Sequence, residues 1–395
     1  MTINRLAAAA MLRLAAQFPA IGITGPRQTG KSTIARSVFP DKKYVTFDDK
    51  NLRDFASSNP NDFVAAFPDG AIFDEAQKVP EIFDALKLHI DAGNWTPGKF
   101  ILTGSSQFRL KKNMSDSMAG RVAFLTLLPF SMGELAGENL LSSMPYLQIL
   151  QGNYPPLYDK TKQFIAADWY QNYIESYIEK DVNDLINPSN SATFKKFIQI
   201  CAIYSGQMLS MENIAKELGI SAPTVKSWLS ILENSYIIHF LYPHSNNLGK
   251  SIVKTAKMYF IDTGLLCHLL KIQTVEDLLL SRYKGAIVET FAIAELLKQR
   301  LNQGKKTDLY FFRDKYGFEV DALADWETPF AIEIKSTSQT ENKMSANVRK
   351  YAKLAENKVN TAVFYLGTLT LTINNNLYLA WKDWANFANI AEKRI

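Results

Sequence analysis

A glycine-rich stretch near the N-terminus, residues 25–32, most constrains what this chain can fold into. It fits the pattern G-x-x-x-x-G-K-[ST] at every fixed position. The apolar run at residues 20–24 precedes it and a helix-forming run follows, which predicts a strand, a tight turn and a helix. In such a turn the backbone N–H groups surround a polyphosphate, while Lys31 can reach its β- and γ-phosphates and Ser32 can ligate Mg²⁺. The stretch therefore predicts a site for ATP and Mg²⁺. The predicted nucleotide-binding residues are Gly25, Pro26, Arg27, Gln28, Thr29, Gly30, Lys31, Ser32 and Thr33.

Two adjacent acids, Asp74 and Glu75, follow a second apolar run at residues 70–73. Two carboxylates at the end of a buried strand are costly to keep charged unless the protein uses them. ATP hydrolysis needs one carboxylate in the Mg²⁺ shell and a second to activate the attacking water. We therefore predict Asp74 as the metal-binding acid and Glu75 as the general base.

Two further polar residues accompany the next apolar runs of the same region. Ser105 follows the run at residues 99–103, where it is predicted to sense the γ-phosphate; an ordinary strand-end cap is the alternative. Arg121 precedes the run at residues 123–128, where it is predicted to reach a γ-phosphate in cis or from a neighbouring subunit. A plain solvated arginine is the alternative there. Glu75, Ser105 and Arg121 are the predicted catalytic residues.

Length and composition set the broad class of the chain. With 395 residues, two to four domains are expected. No apolar run reaches the roughly 18 residues that a membrane span needs, so no membrane association is predicted. Cys201 and Cys267 lie in apolar surroundings and are too few for a disulfide framework, which predicts core positions and a cytoplasmic location. A net charge of +5 permits contact with DNA without demonstrating it.

The pattern changes along the chain and predicts four regions. Alternating strands and helices around the glycine-rich turn predict an α/β domain with a parallel sheet at residues 1–140, including one helix at residues 52–67. A helical connector is predicted at residues 141–190. Between residues 191 and 275, two helices separated by Gly219 and two following strands predict a winged-helix domain. Its lysines, among them Lys226 and Lys257, are candidates for contacts with phosphates, but such a module also serves as a protein-binding scaffold.

The last region, residues 276–395, carries a second group of candidate site residues. Glu289 lies on a predicted helix, Asp321 on a predicted strand, and Glu333 and Lys335 on the next strand. Side chains two residues apart on a strand share a face, so these groups can gather around a divalent metal, as in a metal-dependent nuclease. The alternative is a scaffold of the same fold without nuclease activity.

Nine segments resemble one known family. In chain order they are GPRQTGKST (25–33), IFDEAQKVPEIF (72–83), LTGSSQF (102–108), AGRV (119–122), LLPFSMGEL (127–135), YIESYIEKDV (173–182), YFIDTGL (259–265), FEVD (318–321) and AIEIKS (331–336). On these segments the chain resembles the prokaryotic AAA-type P-loop ATPases that carry a DUF4143 C-terminal region. The resemblance implies an AAA-like ATPase domain, a winged-helix region and a C-terminal fold related to the PD-(D/E)XK nucleases. It also favours Arg121 as an arginine finger and Ser105 as a sensor.

Two functional hypotheses from different classes remain open at the level of sequence. In the first, ATP turnover is coupled to DNA binding or processing through the winged-helix and nuclease-like domains. In the second, the protein is a nucleotide-dependent switch or scaffold that acts on protein partners, and its nuclease-like domain is inactive.

Overall fold

The computed structural model describes residues 3–93, 95–104, 118–178, 191–244 and 255–392. Ser105 lies outside these residues. The described α-helices are α1 (Ala7–Ala15), α2 (Lys31–Val38), α3 (Lys50–Ser58), α4 (Pro60–Ala65), α5 (Glu81–Asp91), α6 (Met132–Gly137), α7 (Pro145–Gln151), α8 (Ala166–Tyr173), α9 (Ser191–Ile203), α10 (Met211–Leu218), α11 (Ala222–Asn234), α12 (Thr263–Leu269), α13 (Val275–Leu280), α14 (Lys284–Asn302), α15 (Ala346–Leu354) and α16 (Phe387–Glu392). The described strands are β1 (Ala20–Thr24), β2 (Lys43–Thr46), β3 (Ala71–Asp74), β4 (Phe100–Thr103), β5 (Val122–Thr126), β6 (Gln207–Met208), β7 (Ile238–Pro243), β8 (Lys257–Phe260), β9 (Leu309–Arg313), β10 (Glu319–Ala324), β11 (Phe330–Lys335), β12 (Asn360–Tyr365), β13 (Leu371–Ile373) and β14 (Asn376–Ala380).

The N-terminal sheet has five strands in the order β2-β3-β4-β1-β5, and every neighbouring pair is parallel. This confirms the predicted parallel sheet. Residues of β1, β3 and β4 are fully buried because helices cover both faces, as parallel sheets require. Strand β4 separates β1 from β3, and the carboxyl ends of all three meet at one edge of the sheet. The fold therefore brings the ends of β1, β3 and β4 to a single place.

Two glycines allow the turn between β1 and α2. Gly25 has φ +146°, and a Cβ there would lie 2.1 Å from the carbonyl oxygen of Leu127. Gly30 has φ +85° and immediately precedes α2. Both backbone conformations favour glycine, and the contact at Leu127 excludes any side chain at position 25.

The helix predicted at residues 52–67 is wrong in one respect, because the structure has two helices, α3 and α4, in this part of the chain. The break falls at Asn59, whose φ of −135° and ψ of 61° lie outside the helical region. Pro60 follows it and begins α4. A proline disfavours the helical conformation in the residue before it, which accounts for the break.

The other nine described strands form a second sheet, in the order β13-β14-β12-β11-β10-β9-β7-β8-β6. Strands β6, β7 and β8 come from the middle of the sequence, and β7 pairs in parallel with β9 from the C-terminal region. One apolar core extends from Leu128 to Ala391. The sheet and its core therefore continue across residue 275, the boundary predicted between the middle and C-terminal regions.

The predicted helix pair of the middle region is present as α10 and α11. Gly219 ends α10 in the left-handed conformation, with φ 66°. The Ser221 side chain then caps α11 by accepting a hydrogen bond from the Thr224 N–H at 3.2 Å. The strands that follow, β7 and β8, pair antiparallel.

A buried polar cluster joins the connector to the second core. The Asp262 carboxylate accepts hydrogen bonds from the Asn153 N–H at 2.7 Å and from the Tyr170 hydroxyl at 2.6 Å. The Asn153 amide donates to the carbonyl of Phe130 at 2.6 Å, just after the first sheet. At Gly152, with φ +70°, a Cβ would lie 1.9 Å from the Tyr170 hydroxyl oxygen. These hydrogen bonds fix the connector at Asn153 and Tyr170, and the packing leaves no room for a side chain at Gly152.

Several other predictions can be checked against the described residues. Cys201 and Cys267 are buried and form no disulfide, as predicted for core residues. Trp169 and Tyr173 are buried, and their rings stack with centroids 4.9 Å apart. None of the described helices combines the length and the apolar character that crossing a bilayer demands.

Candidate functional site

The lysine of the glycine-rich turn lies inside the loop formed by residues 25–30. The buried Lys31 ammonium donates hydrogen bonds to the carbonyl oxygens of Gly25 at 3.1 Å and Pro26 at 2.7 Å. The Thr29 hydroxyl also donates to the Pro26 carbonyl, at 3.0 Å. These contacts place the positive charge at the start of α2, where the helix dipole also favours an anion.

Ser32, at the start of α2, contacts Asp74, the last residue of β3. The two residues meet although β4 lies between β3 and β1, the strand that leads into the turn before α2. The Ser32 hydroxyl donates to Asp74 Oδ1 at 2.8 Å. A hydroxyl oxygen and a carboxylate oxygen at one point are the hard ligands that Mg²⁺ prefers. The structure therefore brings together the two residues predicted to hold the metal, and their donor atoms fit Mg²⁺.

Two more hydroxyl groups orient the Asp74 carboxylate. Tyr44, on β2, donates to Asp74 Oδ2 at 2.6 Å, and Thr103, the last residue of β4, donates to Oδ1. Burial raises the pKa of Tyr44 to about 12, and the hydrogen bond and charge of Asp74 contribute. The proton therefore stays on Tyr44, whose hydroxyl donates to the carboxylate. Neither Tyr44 nor Thr103 was predicted from the sequence. Thr103 could have been found as a polar residue at a strand end of this edge, whereas nothing in the sequence around Tyr44 indicates the contact.

Glu75 follows β3 directly and has an unusual backbone. Its φ of 54° and ψ of 40° place it in the left-handed region, which is uncommon for residues other than glycine. Its carboxylate accepts a hydrogen bond from the Gln77 side-chain amide. Strained backbone of this kind is concentrated at functional sites. Glu75 thus lies beside Asp74, at the same edge of the sheet as the glycine-rich turn.

Arg121 lies at the opposite edge of the same sheet. It precedes β5, and β5 runs parallel to β1, so Arg121 is next to the start of β1 while the glycine-rich turn follows its end. A strand of five residues separates these edges by about 16 Å. There Arg121 forms an ion pair with Asp91, at 2.5 and 2.8 Å. The cis alternative for Arg121 is therefore wrong, because the residue is too far from the nucleotide site of its own chain.

A cavity of about 470 Å³ adjoins the glycine-rich turn. Gly30 and Thr33 form one wall, the N-terminal segment another, and the connector a third. Arg5 fixes the N-terminal segment, since its guanidinium donates to the Thr29 carbonyl at 2.7 Å and pairs with the buried Glu134 at 2.8 Å. Arg5 was not predicted from the sequence as a residue of the site. The cavity is large enough for a nucleoside and opens beside the residues predicted to bind phosphates.

The residues of the second predicted site also lie close together. Where a metal site was expected, lysines contact the carboxylates. The Lys335 ammonium contacts Glu333 at 2.5 Å, and the Asp321 carboxylate accepts a hydrogen bond from the Ile334 N–H at 2.7 Å. Lys257 completes the group. Its ammonium pairs with Glu289 at 2.9 Å and with Glu319 at 2.5 Å.

Burial and neighbouring charges both shift the pKa values in this cluster. Asp321 is partly exposed as a residue, yet burial of its carboxyl group raises its pKa well above the usual value, and the charges of Glu289 and Glu333 raise it further. Burial also raises the pKa of Glu333. Burial lowers the pKa of Lys257, but the carboxylates around it outweigh this effect, so that its pKa lies above the usual value. The cluster is therefore held by lysine–carboxylate contacts, with Asp321 the acid that burial most disfavours as an anion.

Two expectations for these residues need correction. Among the described residues no three His, Cys, Asp or Glu side chains are grouped so that they could hold a metal ion, and this applies to Glu289, Asp321 and Glu333. Lys257, a candidate for phosphate contacts, is 3% exposed and is engaged by the acids. It lies on β8 in the interior of the nine-stranded sheet, which keeps it from the surface. Lys226, by contrast, is exposed on α11.

Family models match three successive parts of the chain. The AAA domain matches residues 17–136, and domains of unknown function match residues 146–276 (DUF8612) and 284–384 (DUF4143). The uncharacterized proteins Rv2008c of Mycobacterium tuberculosis and Mb2031c of Mycobacterium bovis are each 30% identical over 341 residues, which is 86% of this chain and 75% of theirs. The chain belongs to this family of AAA-domain P-loop ATPases with a DUF4143 region.

Two solved structures are similar in part. The Walker-type ATPase PABY2304 of Pyrococcus abyssi is 17% identical, with a TM-score of 0.45, and the match covers 68% of this chain and 96% of that one. AMPPCP-bound DnaA from Aquifex aeolicus is 15% identical, with a TM-score of 0.31, over 58% of this chain and 86% of that one. Scores this low support no statement about function.

The charge distribution of the C-terminal cluster predicts that Asp321→Asn stabilises the protein at high pH. The folded-state pKa of Asp321 is raised, so ionisation disfavours the folded state once the pH exceeds the unfolded value of about 3.9. Asparagine cannot ionise, and it keeps an oxygen for the Ile334 N–H. We expect a melting temperature higher by roughly 2–4 °C at pH 8, a difference that disappears as the pH falls toward 4.

The exposed Asp325, at the end of the same part of the sheet, provides the control. Asp325→Asn should leave the melting temperature unchanged at both pH values. A lower melting temperature of Asp321→Asn at pH 8 would show instead that a positive group stabilises the ionised carboxylate.

Proposed function

We propose that this protein binds ATP with Mg²⁺ and hydrolyses it to ADP and phosphate. The observation that carries the proposal is the contact between Ser32 and Asp74, which joins the glycine-rich turn to the acidic pair across an intervening strand. A chance glycine-rich turn gives no reason for these two groups to meet. The proposal is also supported by the family to which the chain belongs.

Each residue of the site has its own role in the proposed reaction. The N–H groups at the start of α2 and the Lys31 ammonium bind the phosphates, and the nucleoside fits the cavity beside Gly30 and Thr33. Ser32 and Asp74 would hold Mg²⁺, which neutralises charge on the β- and γ-phosphates when bound. Glu75 accepts a proton from the water that attacks the γ-phosphorus, and ADP leaves. Tyr44 and Thr103 keep the Asp74 carboxylate in position.

Substitutions at Lys31 and Glu75 test this proposal. Lys31→Ala should abolish nucleotide binding, because the charge inside the loop is lost. Glu75→Gln should bind ATP as the wild type does and lower the turnover rate by about 100-fold or more, because the general base is lost. Isothermal titration with ATP and a phosphate-release assay measure the two effects.

Glu81→Gln, an exposed glutamate at the start of α5, is the matched control and should leave both measurements unchanged. Hydrolysis by Glu75→Gln at the wild-type rate would show that the base has been assigned wrongly.

We propose further that Arg121 acts in trans. Its position at the far edge of the sheet places it on a surface that another subunit can approach, and its guanidinium is partly exposed beside Asp91. Turnover should then rise with protein concentration. A mixture of Arg121→Ala and Glu75→Gln subunits should recover activity that neither has alone, because each supplies the residue that the other lacks. Turnover independent of concentration, without recovery in the mixture, argues against this role.

For the middle and C-terminal regions, the contacts favour the switch over the nuclease. The ammonium of Lys257 lies on Glu289 and Glu319, close to where a nuclease would need a divalent cation. Contact with DNA through a winged helix remains a proposal, supported by the α10–α11 helix pair and the exposed Lys226.

A nuclease assay separates the two hypotheses. We expect no cleavage of single- or double-stranded DNA with Mg²⁺ or Mn²⁺, whether or not ATP is present, because Lys257 and Lys335 engage carboxylates that a nuclease would need for its cation. Cleavage that is lost in Asp321→Ala would reverse this conclusion and restore the DNA-processing hypothesis.

A further inference from the structure

The second residue after the end of α11 has a backbone conformation that its side chain does not favour. Tyr236 has φ 56°, in the left-handed region. Its N–H donates to the Glu233 carbonyl at 3.0 Å, and the Ile237 N–H donates to the Leu232 carbonyl at 2.9 Å. These two bonds form a Schellman motif, in which the left-handed position is usually glycine. A tyrosine there costs conformational free energy, which contacts of its side chain can offset.

The Tyr236 side chain reaches the first sheet directly beneath the glycine-rich turn. Its hydroxyl oxygen lies 2.7 Å from the Thr24 hydroxyl and 3.4 Å from the Thr126 hydroxyl, and the two threonine hydroxyls are 3.3 Å apart. Thr24 is fully buried, ends β1 and precedes Gly25. One hydroxyl thus connects the helix pair to the strand that carries the nucleotide loop.

The same segment continues into the second sheet. Two residues after Tyr236, β7 begins, and it pairs with β8 on one side and β9 on the other. A displacement of Tyr236 would therefore move the end of α11 and the start of β7 together. The hydrogen bond to Thr24 joins two packed bodies at a point next to the phosphate loop.

We propose that Tyr236 is a positioning residue that couples nucleotide occupancy of the loop to the conformation of α11 and β7. The proposal rests on the proposed binding of ATP. Binding of phosphates fixes the backbone after Thr24, and the hydroxyl bond transmits this restraint to the end of α11. Coupling between two sites is reciprocal, so a partner that holds α11 changes the affinity for nucleotide by the same factor.

Hydrogen–deuterium exchange by mass spectrometry on the full chain tests this coupling, with Mg²⁺ and the non-hydrolysable analogue AMPPNP as the ligand. In the wild type we expect nucleotide to slow exchange in residues 25–38 and also in residues 231–243. In Tyr236→Phe, which removes the hydroxyl alone, the effect at 25–38 should remain and the effect at 231–243 should be lost. A purely structural role would change exchange at 231–243 equally with and without nucleotide.

Partner and control variants make the result specific. Thr24→Val removes the other hydroxyl and should cause the same loss, with no further loss in the double variant, since both remove one interaction. Thr24→Ser keeps the hydroxyl and should retain the coupling even if a larger change impairs folding. Tyr146→Phe removes a half-buried hydroxyl that contacts the Ser336 carbonyl at 3.4 Å, and it should behave as the wild type.

The outcomes distinguish the two proposals. Absence of any nucleotide effect at residues 25–38 in the wild type overturns the proposed ATP binding itself. An effect at 25–38 without one at 231–243, or a full effect at 231–243 in Tyr236→Phe, overturns the coupling and leaves ATP binding intact.

Discussion

The parallel alignment of β1, β4 and β3 is the constraint on which the candidate site depends. These strands carry few polar residues, and their burial on both faces leaves the carboxyl ends as the place where polar groups can emerge. At that edge the Asp74 carboxylate accepts hydroxyl hydrogen bonds from Ser32, Tyr44 and Thr103, which come from three different elements. The Asp74 carboxylate thereby connects α2, the central strand β4 and the edge strand β2 by hydrogen bonds. A shift of any of these strands would separate groups that belong to one site.

The sequence predicted the local parts of this site and missed the parts that come from distant elements. The glycine-rich turn and the acidic pair were recognisable because their residue types and spacing are set by local backbone geometry. Tyr44 was missed, because its contact with Asp74 depends on which strand lies beside β3. The in-cis alternative for Arg121 failed for a related reason, since its position in the sequence does not reveal which edge of the sheet it occupies.

The same limit applies to the second sheet. Asp321, Glu333 and Lys335 lie close together, as the alternating pattern of their strands indicated. Lys257 was predicted only as a candidate for contacts with phosphates. In the structure β8 lies between β7 and β6, and the buried lysine pairs with the half-buried carboxylates of Glu289 and Glu319. The pairing of strands from separate regions decides its environment, and a single sequence does not show that pairing.

The continuity of the nine-stranded sheet bears on how this protein can be divided. A fragment that starts at residue 276 would lack β7, which pairs with β9, and would leave the backbone groups of β9 unpaired at an open edge. It would also lack Lys257, so that Glu289 and Glu319 would lose the cation between them. Removing one partner of a buried ion pair leaves the other charge uncompensated. The C-terminal family region, although it is recognisable as a unit of sequence, therefore shares its sheet and its ion pairs with the strands that precede it.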